Sequence, residues 1–301
     1  MPVAMSIVIT VGIPAYETWG KLHRLLASLQ TQTTPLRFEV IVGDDAYPSA
    51  PLATRVREHF PDFKSFRNPI NGGAAYTRNR ILERARGKYV AFLDADCIAP
   101  PNWLERVEPF LQSEVLLSGT VFRPDGSLEW GPRYRTWLGV SRACANENAN
   151  VASSNNLVVP LKLAYRIGGF NEALGIYFED SLFSMQAILC GAQVRHIGDI
   201  IVKHDHFSGL SANRLQKQAR NTLYSMHHYY ATRPLVQQVC FLGLSMHYAL
   251  QALLHAAHGR PRDAAALLSG IRNALDMIRT VPWKTNWLRE TNLPPRSSCL
   301  R

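Results

Sequence analysis

Tyr89-Val90-Ala91-Phe92-Leu93-Asp94-Ala95-Asp96 joins a continuous apolar run to two carboxylates set one residue apart. An unbroken apolar run is what a strand buried on both faces requires. Its abrupt end in Asp-x-Asp puts two hard oxygen ligands at the carboxyl edge of a sheet, which is where open α/β sheets bind their ligands. Paired carboxylates at such an edge suit Mg²⁺ or Mn²⁺ held together with a substrate diphosphate. Pro100 and Pro101 follow closely, so a plain solvated turn is the alternative for this motif taken alone.

The sequence on either side extends the same pattern. Residues 6–12 (Ser-Ile-Val-Ile-Thr-Val-Gly) read as a first buried strand, and residues 18–30 as a helix with Leu22, Leu25, Leu26 and Leu29 along one side. Residues 38–43 form a second strand that runs into Asp44-Asp45. A helix over 74–86, a third strand over 88–93, a helix over 101–111 and a strand over 115–122 follow. Strand and helix alternate at short spacing, which predicts a parallel, doubly wound sheet for the first 120 residues.

Composition limits the alternatives. A chain of 301 residues that is 47% hydrophobic can bury a full core. Five scattered cysteines (Cys97, Cys144, Cys190, Cys240, Cys299) contain no Cys-x-x-Cys pair, so neither a disulfide framework nor a zinc site is indicated and a reducing, cytoplasmic setting is expected. Met1-Pro2-Val3-Ala4-Met5-Ser6 has no basic n-region and reads as no signal peptide. The net charge of +10 is uneven: from Lys203 onward, 13 Lys/Arg face 4 Asp/Glu. That field suits phosphates, an anionic membrane face or simply a soluble basic surface. No nucleic-acid-binding motif accompanies it, and no nucleic acid is expected as partner.

Residues 123–156 are rich in Arg, Trp, Asn and Gly without a clean period, and read as loops around a site. Residues 179–189 are predicted helical, with Gly191 placed to stop the helix. Beyond His206 the pattern is helical and includes an uncharged run over 235–259. That run is long enough to raise a membrane span, but Gln237, Gln238, His247, Gln251, His255 and His258 interrupt it, favouring a packed or amphipathic helix.

If the sheet is parallel, three strand ends converge: Pro14-Ala15-Tyr16-Glu17, Asp44-Asp45 and Asp94-Ala95-Asp96. A tyrosine and several carboxylates on one edge make a nucleotide pocket, with Tyr16 able to stack on a base. Ile13-Pro14-Ala15-Tyr16, Val40-Ile41-Val42-Gly43-Asp44-Asp45, Asn71-Gly72-Gly73 with Arg78-Asn79, and Phe92-Leu93-Asp94-Ala95-Asp96 resemble the ordered signature of family 2 glycosyltransferases. Gly168-Gly169-Phe170-Asn171-Glu172 and Phe178-Glu179-Asp180 resemble that family's acceptor-side motif. The resemblance covers residues 5–206. It implies a GT-A fold: an α/β, doubly wound, mostly parallel Rossmann-like sheet, here with a C-terminal helical extension. The expected division is a catalytic domain over 1–207 (nucleotide-sugar half about 1–122, acceptor half about 123–207) and a basic helical extension over 208–301.

Carried across residue by residue, the resemblance implies that Tyr16 lines the base pocket, with Pro14 and Ala15 near the ribose and Glu17 and Asn71 at its border. Asp45, or its neighbour Asp44, would hydrogen-bond the base, and Arg78 would close that pocket. Asp94, with Ala95, would hold ribose and metal-bound water. Asp96 would bind a Mg²⁺ or Mn²⁺ ion bridging the diphosphate, with His204 completing the metal site and His206 as its competitor. Asp180, with Glu179 beside it, would be the general base, since a carboxylate can take a proton from an attacking hydroxyl. The implied reaction is inverting transfer of a sugar, UDP-linked by resemblance, to a hydroxyl acceptor that is a glycan, a lipid-linked sugar or a small molecule.

Two departures border the base pocket: Ala46-Tyr47-Pro48-Ser49 stands where the family has Gly-Ser and a further Asp, and Glu17 where Asn is common. They bear on the nucleotide more than on the reaction. The alternatives are a haloacid-dehalogenase-type phosphatase with Asp94 as nucleophile and a non-catalytic sugar-nucleotide-binding protein. For the C-terminal third, two roles stand beside each other: packing on the catalytic domain or a homodimer partner, or lying peripherally on the inner face of a membrane.

Overall fold

Gly12 and Gly43 sit in mid-strand, and each lets a helix approach the sheet closely. A Cβ would come within 2.7 Å of Ile81 Cγ2 at Gly12 and within 2.5 Å of Thr77 Cγ2 at Gly43, so the helix bearing those side chains lies flush on two strands. The computed structural model describes residues 7–17, 19–49, 51–205, 211–284 and 286. Residues 1–6, Thr18, His206 and Cys299, which carried some of the readings above, lie outside the described residues.

In chain order the elements are β1 (Ile9–Ala15), α1 (Trp19–Gln30), β2 (Phe38–Asp44), α2 (Leu52–His59), β3 (Lys64–Arg67), α3 (Gly73–Leu82), β4 (Tyr89–Phe92), β5 (Cys97–Ile98) and α4 (Trp103–Val107). Then come β6 (Val115–Phe122), β7 (Leu128–Trp130), β8 (Arg133–Arg135), β9 (Ser141–Ala143), β10 (Leu157–Pro160), α5 (Leu161–Arg166), α6 (Glu179–Leu189) and β11 (Gln193–His204). Three long helices follow: α7 (Ala212–Tyr229), α8 (Pro234–Ala257) and α9 (Pro261–Thr280). The main sheet runs β3-β2-β1-β4-β10-β6-β11-β5, with β7 paired to β6; β8 and β9 form a separate hairpin. The β3-β2-β1-β4 block is parallel and β11 is parallel to β6, whereas β10, β5 and β7 run antiparallel to their neighbours.

Three expectations change. The strand before Asp94 is the fourth in the chain, not the third. Lys64–Arg67 has charged ends and half-buried or exposed positions at the sheet's edge, so it offers no apolar run to read. β6 is not adjacent to β4 either, because β10 inserts between them in the opposite direction. The helix expected over 101–111 is a five-residue α4 followed by a 3₁₀ turn at Glu108–Phe110.

Helices cover both faces of the sheet. On one, Leu22, Leu25, Leu26 and Leu29 of α1 are wholly buried with Val56 of α2 and Trp103 and Leu104 of α4 against Ile9, Val11, Val40 and Val42. Burying each leucine is worth about 1.5–3 kcal/mol, so α1 is fixed by its apolar stripe. On the other face Ala75, Ile81, Leu163, Phe183 and Ala187 pack on Ile41, Val90 and Phe92.

The extension is not a separate body. A third core joins Leu174, Phe178, Leu182 and Met185 to Leu223, Tyr224 and Met226 of α7, Cys240 and Leu244 of α8, and Ala274 and Met277 of α9.

Candidate active site

The register of the parallel strands sets Ala15 beside Asp44 and Gly12 beside Phe92, so the segments that follow β1, β2 and β4 emerge at one edge. There they line a cleft of about 1490 Å³, which extends over α6 and onto α7 and α8. Pro14, Ala15, Tyr16, Asp45, Asn71, Arg78, Asp94, Ala95, Asp96, Glu179, Asp180 and His204 all line it.

Asp44 does not. Successive residues of an extended chain point to opposite sides, and Asp44 turns into the protein, where it is wholly buried. Its carboxylate accepts from the Tyr47 N–H (3.1 Å), the Ala53 N–H (3.4 Å) and Arg67 Nη1 (2.9 Å), so it builds the loop after β2. Asp45 faces the cleft edge but is largely engaged: it accepts from Asn68 Nδ2 (3.0 Å), the Gly72 N–H (3.0 Å), the Gly73 N–H (2.8 Å) and Thr77 Oγ1 (2.9 Å). A carboxylate at the free N–H groups of α3 satisfies them and complements the helix dipole. Glu17 is exposed, with a left-handed backbone (φ 56°), and is not among the cleft residues. Tyr16 is exposed at the rim, with Tyr47 edge-on at 5.3 Å.

Arg78, which lines the cleft, also makes contacts within the protein. Buried on α3, it donates from Nη2 to Asp94 (2.9 Å) and from Nη1 to Glu179 (2.9 Å), with its guanidinium 5.6 Å from the Phe170 ring. One planar fork thus ties the end of β4 to the start of α6. Burial, reinforced by Asp180's charge and opposed by Arg78, pushes the Glu179 carboxyl up to about 7.

Asp96 and His204 meet across the β5–β11 pair. His204 Nε2 lies 2.9 Å from Asp96 Oδ1, and Nδ1 lies 3.0 Å from both Glu129 oxygens. Burial alone would lower the His204 pKa, but hydrogen bonds to Asp96 and Glu129 and the charges of Asp96 and Asp94 raise it to about 10. Asp94, Asp96 and Glu129 thus make this corner strongly negative, the environment a cation needs. Among the described residues no group of three or more His, Cys, Asp or Glu side chains is gathered tightly enough to hold an ion unaided. One carboxylate and one imidazole do fit a divalent ion that takes its remaining ligands from diphosphate oxygens and water.

Asp180 opens α6. Its Oδ2 accepts from the Ser154 N–H (3.3 Å) and its Oδ1 from the Ser181 N–H (2.6 Å). The two residues before Glu179, Tyr177 and Phe178, are left-handed (φ 73° and 74°), a strained pair for bulky side chains that persists only where its surroundings enforce it. The enforcing group is Asn221 of α7. Fully buried, its Nδ2 donates to the carbonyls of Leu174 (3.0 Å), Ile176 (3.0 Å) and Tyr177 (2.7 Å). Arg135 adds a second brace, donating to Ser181 Oγ (2.8 Å) with its guanidinium 4.4 Å from the Phe178 ring; burial pushes its pKa down to about 10.

Glu129, Arg135 and Asn221 escaped the sequence reading. Glu129 and Arg135 lie in a stretch without period, and Asn221 lies inside an ordinary helical pattern. Lys21, 3.8 Å from Asp96 Oδ2, was not singled out in the sequence either. A buried polar residue in α7 was the one usable signal, and burial is not visible in sequence.

The comparisons with known proteins agree with this architecture. Glycosyltransferase AglE of Haloferax volcanii is 26% identical over 203 residues, 65% of this chain and 66% of its own. Matches to the first curated relatives span between 23% and 66% of those proteins' lengths. Among solved structures, mannosyltransferase PcManGT from Pyrobaculum calidifontis, in complex with GDP-Man and Mn²⁺, aligns with TM-score 0.59 at 16% identity, covering 90% of this chain and 88% of that one. S. aureus TarS 1–349 in complex with UDP-GlcNAc aligns with TM-score 0.56 at 18% identity, covering 88% and 91%. These neighbours share the GT-A fold. A family model described as "Glycosyl transferase family 2" matches residues 10–171, more than half of the chain from β1 to the loop before α6, and the chain belongs to that family.

Proposed function

We propose that the protein transfers a sugar from a nucleotide-sugar to an acceptor hydroxyl with inversion at the anomeric carbon. One observation carries the reading: Arg78 links Asp94 on the donor side to Glu179, the neighbour of Asp180, so two carboxylate sets with different environments face one cleft. The donor lies across the ends of β1, β2 and β4, with its base beside Tyr16 and α3. UDP is the nucleotide favoured by the resemblance and by the UDP-GlcNAc bound to TarS. The GDP-Man bound to PcManGT is the competing precedent.

Asp180 accepts the proton of the acceptor hydroxyl as its oxygen bonds to the anomeric carbon. The bond to the nucleoside diphosphate breaks on the opposite face. Arg78 holds the two sides in register, and Arg135 and Asn221 fix the segment that carries the base. Asp96 and His204 would hold Mn²⁺ or Mg²⁺, whose charge would offset the negative charge growing on the departing diphosphate.

The test is a thermal-shift and nucleoside-diphosphate-release assay of the whole protein with UDP- and GDP-sugars, with and without Mn²⁺. A cognate donor at ten times its Kd adds about 1.4 kcal/mol of stability. A shift with GDP-sugars alone would correct the base but keep the reaction. No shift and no release with any nucleotide-sugar would overturn the reading.

A further inference from the structure

Among the described residues, nothing packs on the outer face of α8. Over Pro234–Ala257 it carries no Asp, Glu, Lys or Arg, and Cys240, Leu244 and Ala252 are its buried residues. Leu235 (73% exposed), Val239, Leu242 (62%), Met246 (72%), Leu250 and Leu253 (68%) recur every three or four residues, which at 100° per residue puts them along one side. A stripe of this size on a monomer marks an interaction surface. An apolar groove of about 320 Å³ adjoins it at Leu242, between Phe241 and, on α9, Leu275 and Ile278.

We propose that this face lies on an anionic membrane surface. The charges around the stripe choose the occupant. Exposed Arg233 stands at the start of α8, exposed Arg260 and Arg262 just after its end, and exposed Arg272 and Arg279 on α9, with exposed Asp276 between the last two. Of these, Arg260 alone has a carboxylate partner, Asp263 at 2.6 Å, among the described residues. A second copy docked stripe to stripe would bring basic ends together whether the helices ran parallel or antiparallel. An anionic bilayer meets the excess of these five arginines over Asp263 and Asp276 favourably while covering the apolar stripe.

The helix lies on the surface and does not cross it. Twenty-four residues at 1.5 Å each would span a bilayer. However, the inner side of α8 shares a core with Met226, Ala274 and Met277, and its His247, Gln251 and His255 line the cleft. At 100° per residue those polar positions lie roughly 100–180° round the helix from the stripe, on its inner side, and Leu254, between the two, belongs to both the cleft lining and the exposed apolar set. Leu254 therefore connects one edge of the cleft to the membrane face, the side from which a hydroxyl acceptor carried by a lipid would enter.

Co-sedimentation of the whole protein with vesicles tests this without any donor, so its outcome is independent of the glycosyltransferase reading. Vesicles of mixed phosphatidylglycerol and phosphatidylcholine should bind the protein, and pure phosphatidylcholine should bind it weakly. Raising salt from about 0.1 M to about 1 M, which shortens screening from about 10 Å to about 3 Å, should weaken binding. The triple variant Leu242→Ser, Met246→Ser, Leu250→Ser changes exposed positions outside the cleft. It should keep its circular dichroism and lose affinity for anionic vesicles by about 10-fold or more. No binding by the wild type overturns the proposal. So does binding that responds to salt but not to the triple variant. A dimer in sedimentation velocity that the variant dissolves, with no vesicle binding, would assign the stripe to a second copy instead.

Discussion

The donor side and the acceptor side of the cleft are assembled in opposite ways. On the donor side Asp45 follows β2 and Asp94-Ala95-Asp96 follows β4, and strand register brings these carboxylates to one edge. On the acceptor side Asp180 stands in the first turn of α6, behind a strained loop fixed by Arg135 from the β8–β9 hairpin and by Asn221 from α7. One half is rigid because a sheet is rigid; the other is rigid only through contacts distant in sequence. Substitutions should therefore act locally and chemically on the first and at a distance on the second.

The largest effect tests the chemistry common to both halves. Asp180→Asn keeps the shape but removes the proton acceptor, and kcat should fall about 10²–10⁴-fold. Donor binding, read by thermal shift, should hold. A variant that instead loses donor binding would place Asp180 on the wrong side of the comparison.

Next comes the metal corner. Asp96→Asn, or chelation of the wild type, should lower turnover about 10²–10³-fold, the scale of one lost electrostatic stabiliser. Mn²⁺ should restore the chelated wild type but not the variant. Full activity in chelator would remove the metal from the donor half.

Asn221→Leu probes action at a distance. It fills the same space but cannot donate to the three loop carbonyls, and a misplaced base costs about 10- to 10²-fold. The loss should fall on kcat while donor affinity stays constant. An equal loss in both would mean that α7 supports the whole cleft and not the base loop.

Smaller effects separate neighbouring carboxylates. Asp44→Asn should lower stability by about 1–3 kcal/mol through its buried partners, with the folded fraction binding donor normally. Asp45→Asn should destabilise on a similar scale and also weaken donor binding, because α3 borders the base pocket. Chemical denaturation paired with donor titration reads both.

Acid sensitivity distinguishes the sheet from the extension. Burial holds His196 of β11 and His228 of α7 down to about 4, against 6.5 for a free imidazole. Between those values the unfolded chain binds protons that the folded chain does not. Stability is therefore complete above pH 6.5 and is lost as pH falls towards 4, by up to ~1.4 kcal/mol per pH unit for each group. His228→Phe, which keeps the stacking on Trp283, should flatten that loss; an unchanged slope would show that His228 is protonated when folded.

What the sequence revealed follows the same division. The runs before Asp44 and Asp94 announce buried strands and so give both the sheet and the edge where the site lies. α6 is legible with its bounds because Glu179–Leu189 is closed by Gly191. Lys64–Arg67 is hidden because an edge strand need not be apolar, and β10 because four residues cannot reveal which way they run. The fates of Asp44 and Glu17 were hidden for a different reason: motif membership says nothing about which side of the backbone a carboxylate leaves. Glu129, Arg135 and Asn221 act only through tertiary contacts, which no local pattern encodes.

The Asn221 clamp also sets a clock during synthesis. Its closing bond to Tyr177 joins residues 44 apart in the chain. At about 5–20 residues per second a ribosome needs roughly 2–9 s to make that stretch. A nascent chain thus completes the strands of its nucleotide side before the loop ahead of Asp180 can be locked. Polypeptides that end between β11 and α7 lack Asn221 and the third core, so the loop ahead of Asp180 should stay unlocked in them and turnover should be absent.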